Sequence, residues 1–134
     1  GTLWAWGLGN NGILGLGATT SNRQVPTQVG TDTDWKLVTS HGFHSFALKT
    51  DGTLWGTGSS AWGKLGNGTT TGLVFNFTQL GTDTDWDYVN IGERHTTAVK
   101  TDGTVWSWGY NAEYRTGLGT NSGNTLVPTQ QTYP

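Results

Sequence analysis

The sequence predicts an all-β protein assembled from repeated units of four short antiparallel strands. Two observations carry this prediction: the chain repeats itself at an offset of 51 residues, and each repeat alternates strand-forming segments with turn signals. Residues 1–51 and 52–102 are identical at 25 of 51 positions without a gap. Composition alone does not produce such a shared register, and a period of about 50 residues indicates stacked or radially repeated units.

The last repeat shows its strands most clearly. Four of its segments are rich in β-branched and aromatic residues, which suit a pleated surface. In chain order they are WDYVNI (86–91), HTTAVKT (95–101), TVWSWG (104–109) and LVPTQQ (126–131). Asp102-Gly103 between the second and third segments is a strong two-residue hairpin signal. Pro128 places the fourth segment at a sheet edge, where the missing N–H is not needed.

Four short strands per unit, with an outer strand that tolerates proline, are typical of a β-propeller blade. The 134 residues amount to about 2.6 repeats and are expected to form a single partial propeller. We assign residues 1–30 to the outer half of one blade, 35–80 to a full blade and 86–131 to a second full blade. A half blade exposes strand edges, so we expect a segment of a larger ring, or completion of the ring by other copies.

The string GTDTDW occurs at residues 30–35 and again at 81–86. Its position predicts the connection from the outer strand of one blade to the inner strand of the next. Asp and Thr side chains form local turns through backbone hydrogen bonds, and we expect that role here, with the Trp anchoring the new strand. Spaced carboxylates also suit calcium, but the string lacks the glycine and terminal glutamate of a dedicated calcium loop.

Charge and hydropathy exclude several classes of function. The net charge is −2, only 12% of residues are charged, and no basic block is present. A nucleic-acid partner is therefore not expected, because that function needs clustered Lys and Arg. The sequence has no cysteine. It also has no apolar run approaching about 18 residues, so membrane insertion is not expected.

These motifs resemble the repeats of the regulator of chromosome condensation 1 (RCC1) family. The resemblance covers essentially the whole chain and rests on aromatic, glycine and histidine positions. The matching segments are GTLWAWGLGNNGILGLG (1–17), VPTQVG (25–30), WKLVTSHGFHSFALKTDG (35–52), WDYVNIGERHTTAVKTDG (86–103) and TVWSWGYNAEYRTGLG (104–119). The resemblance implies a seven-bladed propeller, of which this chain would supply a part, and a bacterial or phage type of repeat.

The chain departs from the family pattern at four informative places. Thr57 replaces the second Trp of the W-x-W-G motif, and Phe77 replaces the proline of the blade edge. Tyr114 replaces the first glycine of the G-Q-L-G motif in the last repeat. In the preceding repeat, Lys64 replaces the Gln of the same motif. The string GERHT is similar to the Gly-Trp-Arg-His-Thr strings of plant UV-B photoreceptor propellers, but Glu93 stands where their sensing Trp would be, so light sensing is not expected.

No residues form a candidate catalytic, cofactor-binding or metal site. His44 and His95 occupy the same repeat position, and we expect a structural role in which each bonds backbone between blades. His41 lies three residues before His44, but zinc would need further ligands that the sequence does not supply. The chain is therefore not expected to be an enzyme, and no cofactor is expected.

Residues that differ between repeats are better binding candidates than residues that recur, because every blade has the same structural needs. Aromatic residues and arginine are common anchors of protein interfaces. The variable positions of this type are Phe43, Trp62, Phe75, Phe77, Arg94, Tyr114 and Arg115. Five of them, Phe43, Trp62, Arg94, Tyr114 and Arg115, are our candidate partner-binding residues. Space filling between blades is the alternative role.

Three functions follow as hypotheses. The first is a non-catalytic scaffold or recognition module of a secreted, cell-surface or virion structural protein, which binds a protein or glycan partner, or other copies of itself, through variable loops. The second, implied by the resemblance, is a guanine-nucleotide exchange factor. The third is a propeller-type protein inhibitor of an enzyme. Low charge and abundant Thr, Asn and Gly favour the first, with an extracellular, cell-surface or virion location.

Overall fold

The computed structural model describes residues 1–18, 21–121 and 123–133, which form ten β-strands. Short 3-10 turns of three residues occur at Asn10–Gly12, Ala61–Gly63 and Ala112–Tyr114. In the described residues no helix is long and apolar enough to cross a membrane. The strands are β1 (Trp4–Gly7), β2 (Arg23–Gln28), β3 (Trp35–His41), β4 (His44–Lys49), β5 (Leu54–Ser59), β6 (Leu73–Gln79), β7 (Trp86–Ile91), β8 (His95–Lys100), β9 (Val105–Tyr110) and β10 (Asn124–Gln130).

The strands form three antiparallel sheets. One sheet has the order β3-β4-β5-β6, the second has the order β7-β8-β9-β10, and β1 pairs with β2 in a two-stranded sheet. This arrangement confirms the predicted all-β class and the four-stranded antiparallel unit. Pro128 lies in β10, an edge strand of its sheet, as its missing N–H requires.

The hairpin between β8 and β9 forms where the Asp-Gly pair predicted it. The Asp102 carboxylate accepts hydrogen bonds from the Thr104 N–H at 2.9 Å and the Thr104 hydroxyl at 2.7 Å. Gly103 adopts a φ of +84°, a region that most side chains resist. Asp51 closes the turn between β4 and β5 with the same two bonds, to Thr53.

The GTDTDW strings connect β2 to β3 and β6 to β7, as predicted. The second connection also joins one sheet to the next, because the Trp86 N–H donates to the carbonyl of Gly52 at 3.1 Å. A side chain at Gly52 would collide with the Thr84 backbone carbonyl. The close backbone approach between neighbouring sheets therefore requires glycine at this turn.

The main hydrophobic core lies between the two four-stranded sheets. Phe46 and Leu48 of β4 face Trp86 and Val89 of β7, and all four are buried. Trp108 of β9 is fully buried and meets Phe46 edge to face, with 5.7 Å between the ring centroids. Val89 and Ile91 of β7 face this core with the period of two expected for strands, and Trp86 joins them across a register shift between Trp86 and Tyr88.

The two sheet junctions fill equivalent space with different aromatic residues. The ring of Trp108 covers Gly66, where an added Cβ would lie 2.8 Å from the indole Nε1. Gly15 is the equivalent glycine one repeat earlier, and the Phe77 ring covers it, 2.5 Å from an added Cβ. Thr57, the repeat equivalent of Trp108, contributes only a methyl group at 3.4 Å. The two departures from the family pattern thus compensate each other in space.

The same repeat position also supplies a hydrogen bond between sheets in both junctions. The Trp108 indole N–H donates to the carbonyl of Lys64 at 3.0 Å. The Thr57 hydroxyl lies 2.9 Å from the carbonyl of Gly12 and 2.8 Å from that of Val74. The carbonyls of Gly12 and Lys64 belong to the loops that follow β1 and β5, so each of these bonds holds a loop of the preceding sheet against the junction, whereas Val74 lies in the same sheet as Thr57.

The face of the two-stranded sheet beside β3 is partly open. Trp6 and Val38 are exposed, and they line an apolar groove of about 200 Å³ together with Leu3, Ile13 and Phe77. In the two four-stranded sheets, the strands equivalent to β1 are β5 and β9, and each is covered on this side by the first two strands of its sheet.

Candidate functional site

One end of the sheets carries a caged lysine in each four-stranded unit. The ammonium of Lys49 lies 2.6 Å from Asp32 Oδ2 and 3.3 Å from Asp34 Oδ1. It also lies 4.8 Å from the ring centroid of Trp35 and 4.7 Å from that of Trp55. Ion pairing and cation–π attraction act together on the same cation, which ties the connection before β3 to the ends of β4 and β5.

The second sheet repeats this cage around Lys100. Its ammonium lies 2.7 Å from Asp83 and 3.0 Å from Asp85, and 4.9 and 4.7 Å from the ring centroids of Trp86 and Trp106. Burial lowers the pKa of Lys100, but the ammonium donates to the Asp83 carboxylate and pairs with Asp85, and these interactions outweigh burial and leave that pKa raised.

The cages correct one part of our interpretation of GTDTDW. We expected its aspartates to form local turns, whereas their carboxylates bind a lysine that lies 15 to 17 residues further along the chain. The local turns are made instead by Asp51 and Asp102. In the residues that the structure describes, no cluster of three or more His, Cys, Asp or Glu side chains could hold a metal ion.

His44 links the two four-stranded sheets, but through a side chain rather than the backbone atom we expected. Its Nε2 lies 3.3 Å from the hydroxyl of Thr96, which donates at 2.9 Å to the Lys64 carbonyl. Burial, followed by the positive charge of Lys64, lowers the pKa of His44 to about 3. His44 is therefore a neutral structural residue at physiological pH. His95 is half-buried, and burial also lowers its pKa.

The opposite end of the sheets carries a ladder in which cationic and aromatic side chains alternate. We call this set the ladder: Phe43, Lys64, Trp62, Arg94, Tyr110 and Arg115. It is formed by the β3–β4 and β7–β8 hairpins, the loops that follow β5 and β9, and the end of β9. All these segments meet at one end because antiparallel strands return there. Two neighbouring sheets thus contribute to one surface.

The first half of the ladder surrounds a buried lysine. Lys64 is only 1% exposed, and its ammonium lies 5.4 Å from the Phe43 centroid and 5.5 Å from the Trp62 centroid. Burial lowers the pKa of Lys64, the nearby positive charge of Arg94 lowers it further, and Glu93 opposes these effects. Phe43 and Trp62 remain 48% and 37% exposed, so this half presents aromatic surface over a buried cation.

The second half crosses to the next sheet. The Arg94 guanidinium lies 4.7 Å from the Trp62 centroid and 5.7 Å from the Tyr110 centroid. The Trp62 and Tyr110 rings are themselves 6.2 Å apart and edge to face. The Arg115 guanidinium lies 5.4 Å from the Tyr110 centroid. Contacts of this kind hold the flat guanidinium groups in place and leave their edges free for hydrogen bonds.

Two exposed aromatic residues beside these contacts have unusual backbone conformations. Trp62 has a φ of +59° and Tyr114 a φ of +60°, although neither is glycine. Asn11 and Gly12 occupy the equivalent positions in the first repeat, and both residue types tolerate positive φ better. The same positive φ recurs at the repeat equivalents Asn11 and Glu113, so this loop conformation belongs to the repeat, and Trp62 and Tyr114 are the positions where it carries a large aromatic side chain.

The structure brings together four of the five candidate partner-binding residues. Phe43, Trp62, Arg94 and Arg115 are members of the ladder, and Tyr114 lies in the same loop as Arg115 and is 60% exposed. The other two variable aromatics, Phe75 and Phe77, lie in β6.

Sequence reasoning missed two members of the ladder, Lys64 and Tyr110. One signal could have identified Lys64: it lies 51 residues before Arg115, so both repeats place a cation at the same position. Tyr110 is an aromatic residue at a variable position, so the criterion that selected the other candidates also applied to it. Its equivalent one repeat earlier is Ser59, and its role follows from its contacts with both arginines.

The architecture defines a class of protein built from four-stranded antiparallel blades that repeat every 51 residues. The family profile described as "Regulator of chromosome condensation (RCC1) repeat" matches residues 1–48 and 102–134, and a second RCC1 repeat profile matches residues 87–115. The chain therefore belongs to the RCC1 repeat family.

Curated relatives agree with this assignment. The chain is 31% identical over 137 residues to the ultraviolet-B receptor UVR8 of Arabidopsis thaliana, a match that covers 100% of this chain and 31% of that protein. It is also 31% identical over 125 residues to the human E3 ubiquitin-protein ligase HERC2, covering 90% of this chain and 3% of that protein. The chain thus spans less than a third of the length of these relatives.

Solved structures show the same fold. Prp20p of Saccharomyces cerevisiae superposes with a TM-score of 0.87 at 25% sequence identity, over 98% of this chain and 34% of that chain. Human WBSCR16 superposes with a TM-score of 0.84 at 26% identity, over 97% of this chain and 33% of that one.

Proposed function

We propose that this chain is a non-catalytic protein-binding part of an RCC1-type propeller and that its partner binds at the ladder. The observation that carries the proposal is the ladder itself, which gathers aromatic and cationic side chains from two sheets on one surface. Aromatic residues and arginine dominate the binding energy of many protein interfaces. The strained backbone of Trp62 and Tyr114 supports the same surface, because it displays large side chains where glycine or asparagine would relieve the strain.

A structural neighbour that binds proteins supports the proposal. Prp20p of Saccharomyces cerevisiae has binding properties to Gsp1p and histones. Gsp1p and histones are partners of Prp20p, and they support for this chain only the general proposal of a protein partner. The experiment that tests the proposal places a photo-crosslinkable residue at position 114 of the full-length protein. Tyr88, which is 50% exposed on β7, is the matched control position.

We expect cross-links to a protein partner from position 114 and none from position 88. Cross-links from position 88 alone would place the partner on a surface other than the ladder. Cross-links to a glycan would show that the partner is a glycan, the other ligand class that the sequence suggested, and not a protein. Nucleotide exchange on a Ran-like GTPase would favour the exchange-factor hypothesis. Inhibition of an enzyme captured at position 114 would assign the chain to the inhibitor class.

The assembly and the location are further parts of the proposal. The apolar groove beside the two-stranded sheet supports completion of the ring by inner strands from the same longer chain or from another copy. The intact mass of the native polypeptide, measured with its particle mass in solution, distinguishes these two cases. The extracellular, cell-surface or virion location rests on composition alone. Recovery of the native protein only from cytosol or nuclei would refute it.

A further inference from the structure

We infer that the partner bound at the ladder is an acidic protein segment whose carboxylates reach Lys64 and Arg94. This inference rests on the proposed function, since it specifies the chemistry of the partner at the same surface. It is carried by Lys64, for which the described residues form no ion pair, and by the Arg94 Nε, which has no hydrogen-bond acceptor there.

Lys64 supplies the first of these groups. It is 1% exposed, and within the described residues it forms no ion pair, since Glu93 acts on its charge only from a longer distance. Aromatic rings at 5.4 and 5.5 Å are its neighbours instead. Caged Lys49 shows the contrast, because it has two rings at similar distances and two aspartates as well. A buried cation without a counter-charge is costly, and a carboxylate from a partner would supply the missing half of the cage.

Arg94 supplies the second group. Its Nε is buried and has no hydrogen-bond acceptor in the described structure. Glu93 Oε1 lies 3.4 Å away, an ion-pair distance that does not form a hydrogen bond to that atom. Trp62 and Tyr110 hold the guanidinium between them, so it is already oriented. An arginine fixed in this way binds carboxylates with little further loss of freedom.

The surrounding charges favour discrete carboxylates over a polyanion such as nucleic acid. Glu93 and Glu113 lie at the rim with side chains 64% and 76% exposed, paired with Arg94 and Arg115. The sequence as a whole carries a net charge of −2 and has no basic block, whereas a continuous phosphodiester chain needs an extended run of cations. The exposed aromatic rings add apolar contact area of the kind that anchors protein interfaces.

The test measures binding of fluorescently labelled poly-Glu, poly-Gln and poly-Lys peptides of equal length, and of a DNA oligonucleotide, to the full-length protein. We expect poly-Glu to bind most tightly and its affinity to fall as salt rises. Lys64→Gln and Arg94→Gln should each weaken poly-Glu binding by about tenfold or more, the loss expected for a charge-assisted hydrogen bond. Lys36→Gln is the control, because Lys36 is an exposed cation at the far end of β3, about 20 Å away.

Stability provides a second measurement that separates binding from folding. Lys64→Gln removes a buried, unpaired charge and introduces the residue usual for the family, so the melting temperature should stay the same or rise while binding is lost. Equal binding of poly-Glu and poly-Gln, or undiminished poly-Glu binding by both variants, would overturn the inference. Tighter binding of DNA than of poly-Glu would also overturn it. If cross-links from position 114 persist in those cases, protein binding stands and only its acidic character is wrong.

Discussion

Phe77 and Thr57 should be energetically coupled, because together they fill the space beside Gly15 that Trp108 fills beside Gly66 in the next sheet junction. The perturbation is an exchange of residue types between junctions: Phe77→Pro, Thr57→Trp and the double variant. Proline is acceptable at position 77, since Pro128 occupies the equivalent place in β10. The double variant recreates the combination found beside Gly66.

The magnitudes follow from burial. Removal of a fully buried Phe costs about 3–5 kcal/mol; Phe77 is half-buried, so Phe77→Pro should cost about 2 kcal/mol. Thr57→Trp forces an indole against the Phe77 ring and removes the Thr57 hydrogen bonds, and overpacking of this kind costs about 1–3 kcal/mol. In the double variant the indole occupies the vacated space, and its N–H can reach the Ile13 carbonyl, the repeat equivalent of the Lys64 carbonyl.

Urea unfolding followed by far-UV circular dichroism measures all four proteins without interference from the added Trp fluorescence. Independent effects would sum to about 4 kcal/mol, whereas we expect the double variant to lose about 2 kcal/mol or less. The coupling free energy would then be about 2 kcal/mol, within the range observed for residues in contact. A double variant whose loss equals the sum of the single losses within about 0.5 kcal/mol would refute the compensation.

Three further predictions concern single side chains. The pKa of His44 falls from 6.5 in the unfolded chain to about 3 in the fold, so as the pH falls the unfolded state binds the proton first. Between pH 6.5 and pH 3 this difference should lower the free energy of unfolding by of order 4 kcal/mol. His44→Gln should lose much less stability over the same pH range in an acid unfolding series. Lys100 has a raised pKa, so its contribution to the free energy of unfolding is complete below pH 10.5 and is lost as the pH rises through its pKa in the folded protein. Lys100→Gln should lower the free energy of unfolding by about 2 kcal/mol at pH 7 and should reduce the loss of stability at alkaline pH. The exposed control Lys36→Gln should change neither quantity. Tyr114→Gly should relieve the strain of the positive φ and raise stability by about 1 kcal/mol, measured by thermal unfolding. It should also weaken cross-linking of the partner to a photo-crosslinkable residue placed at position 43. An unchanged melting temperature would show that the backbone is not strained.

Residues that are close together in the chain are enough to specify the local structure of each unit. The 51-residue repeat, the alternating strands, the Asp-Gly hairpins and the edge position of Pro128 all depend on residues close together in the chain. Their conformations are set by turn chemistry and by the period of two along a strand. Comparison of the sequence with itself was sufficient, because every unit has to satisfy the same local requirements.

Which variable residues meet depends on the packing of the sheets and their loops. Phe43 and Lys64 come from separate loops of one sheet, and Arg94 and Tyr110 come from the next sheet. Thr57 and Phe77 likewise compensate each other although they lie 20 residues apart. Self-comparison aligns equivalent positions and cannot pair positions that differ in their place within the repeat. Contacts between the loops and strands of one sheet, and between neighbouring sheets, join such non-equivalent positions, and they depend on tertiary packing rather than on any local pattern.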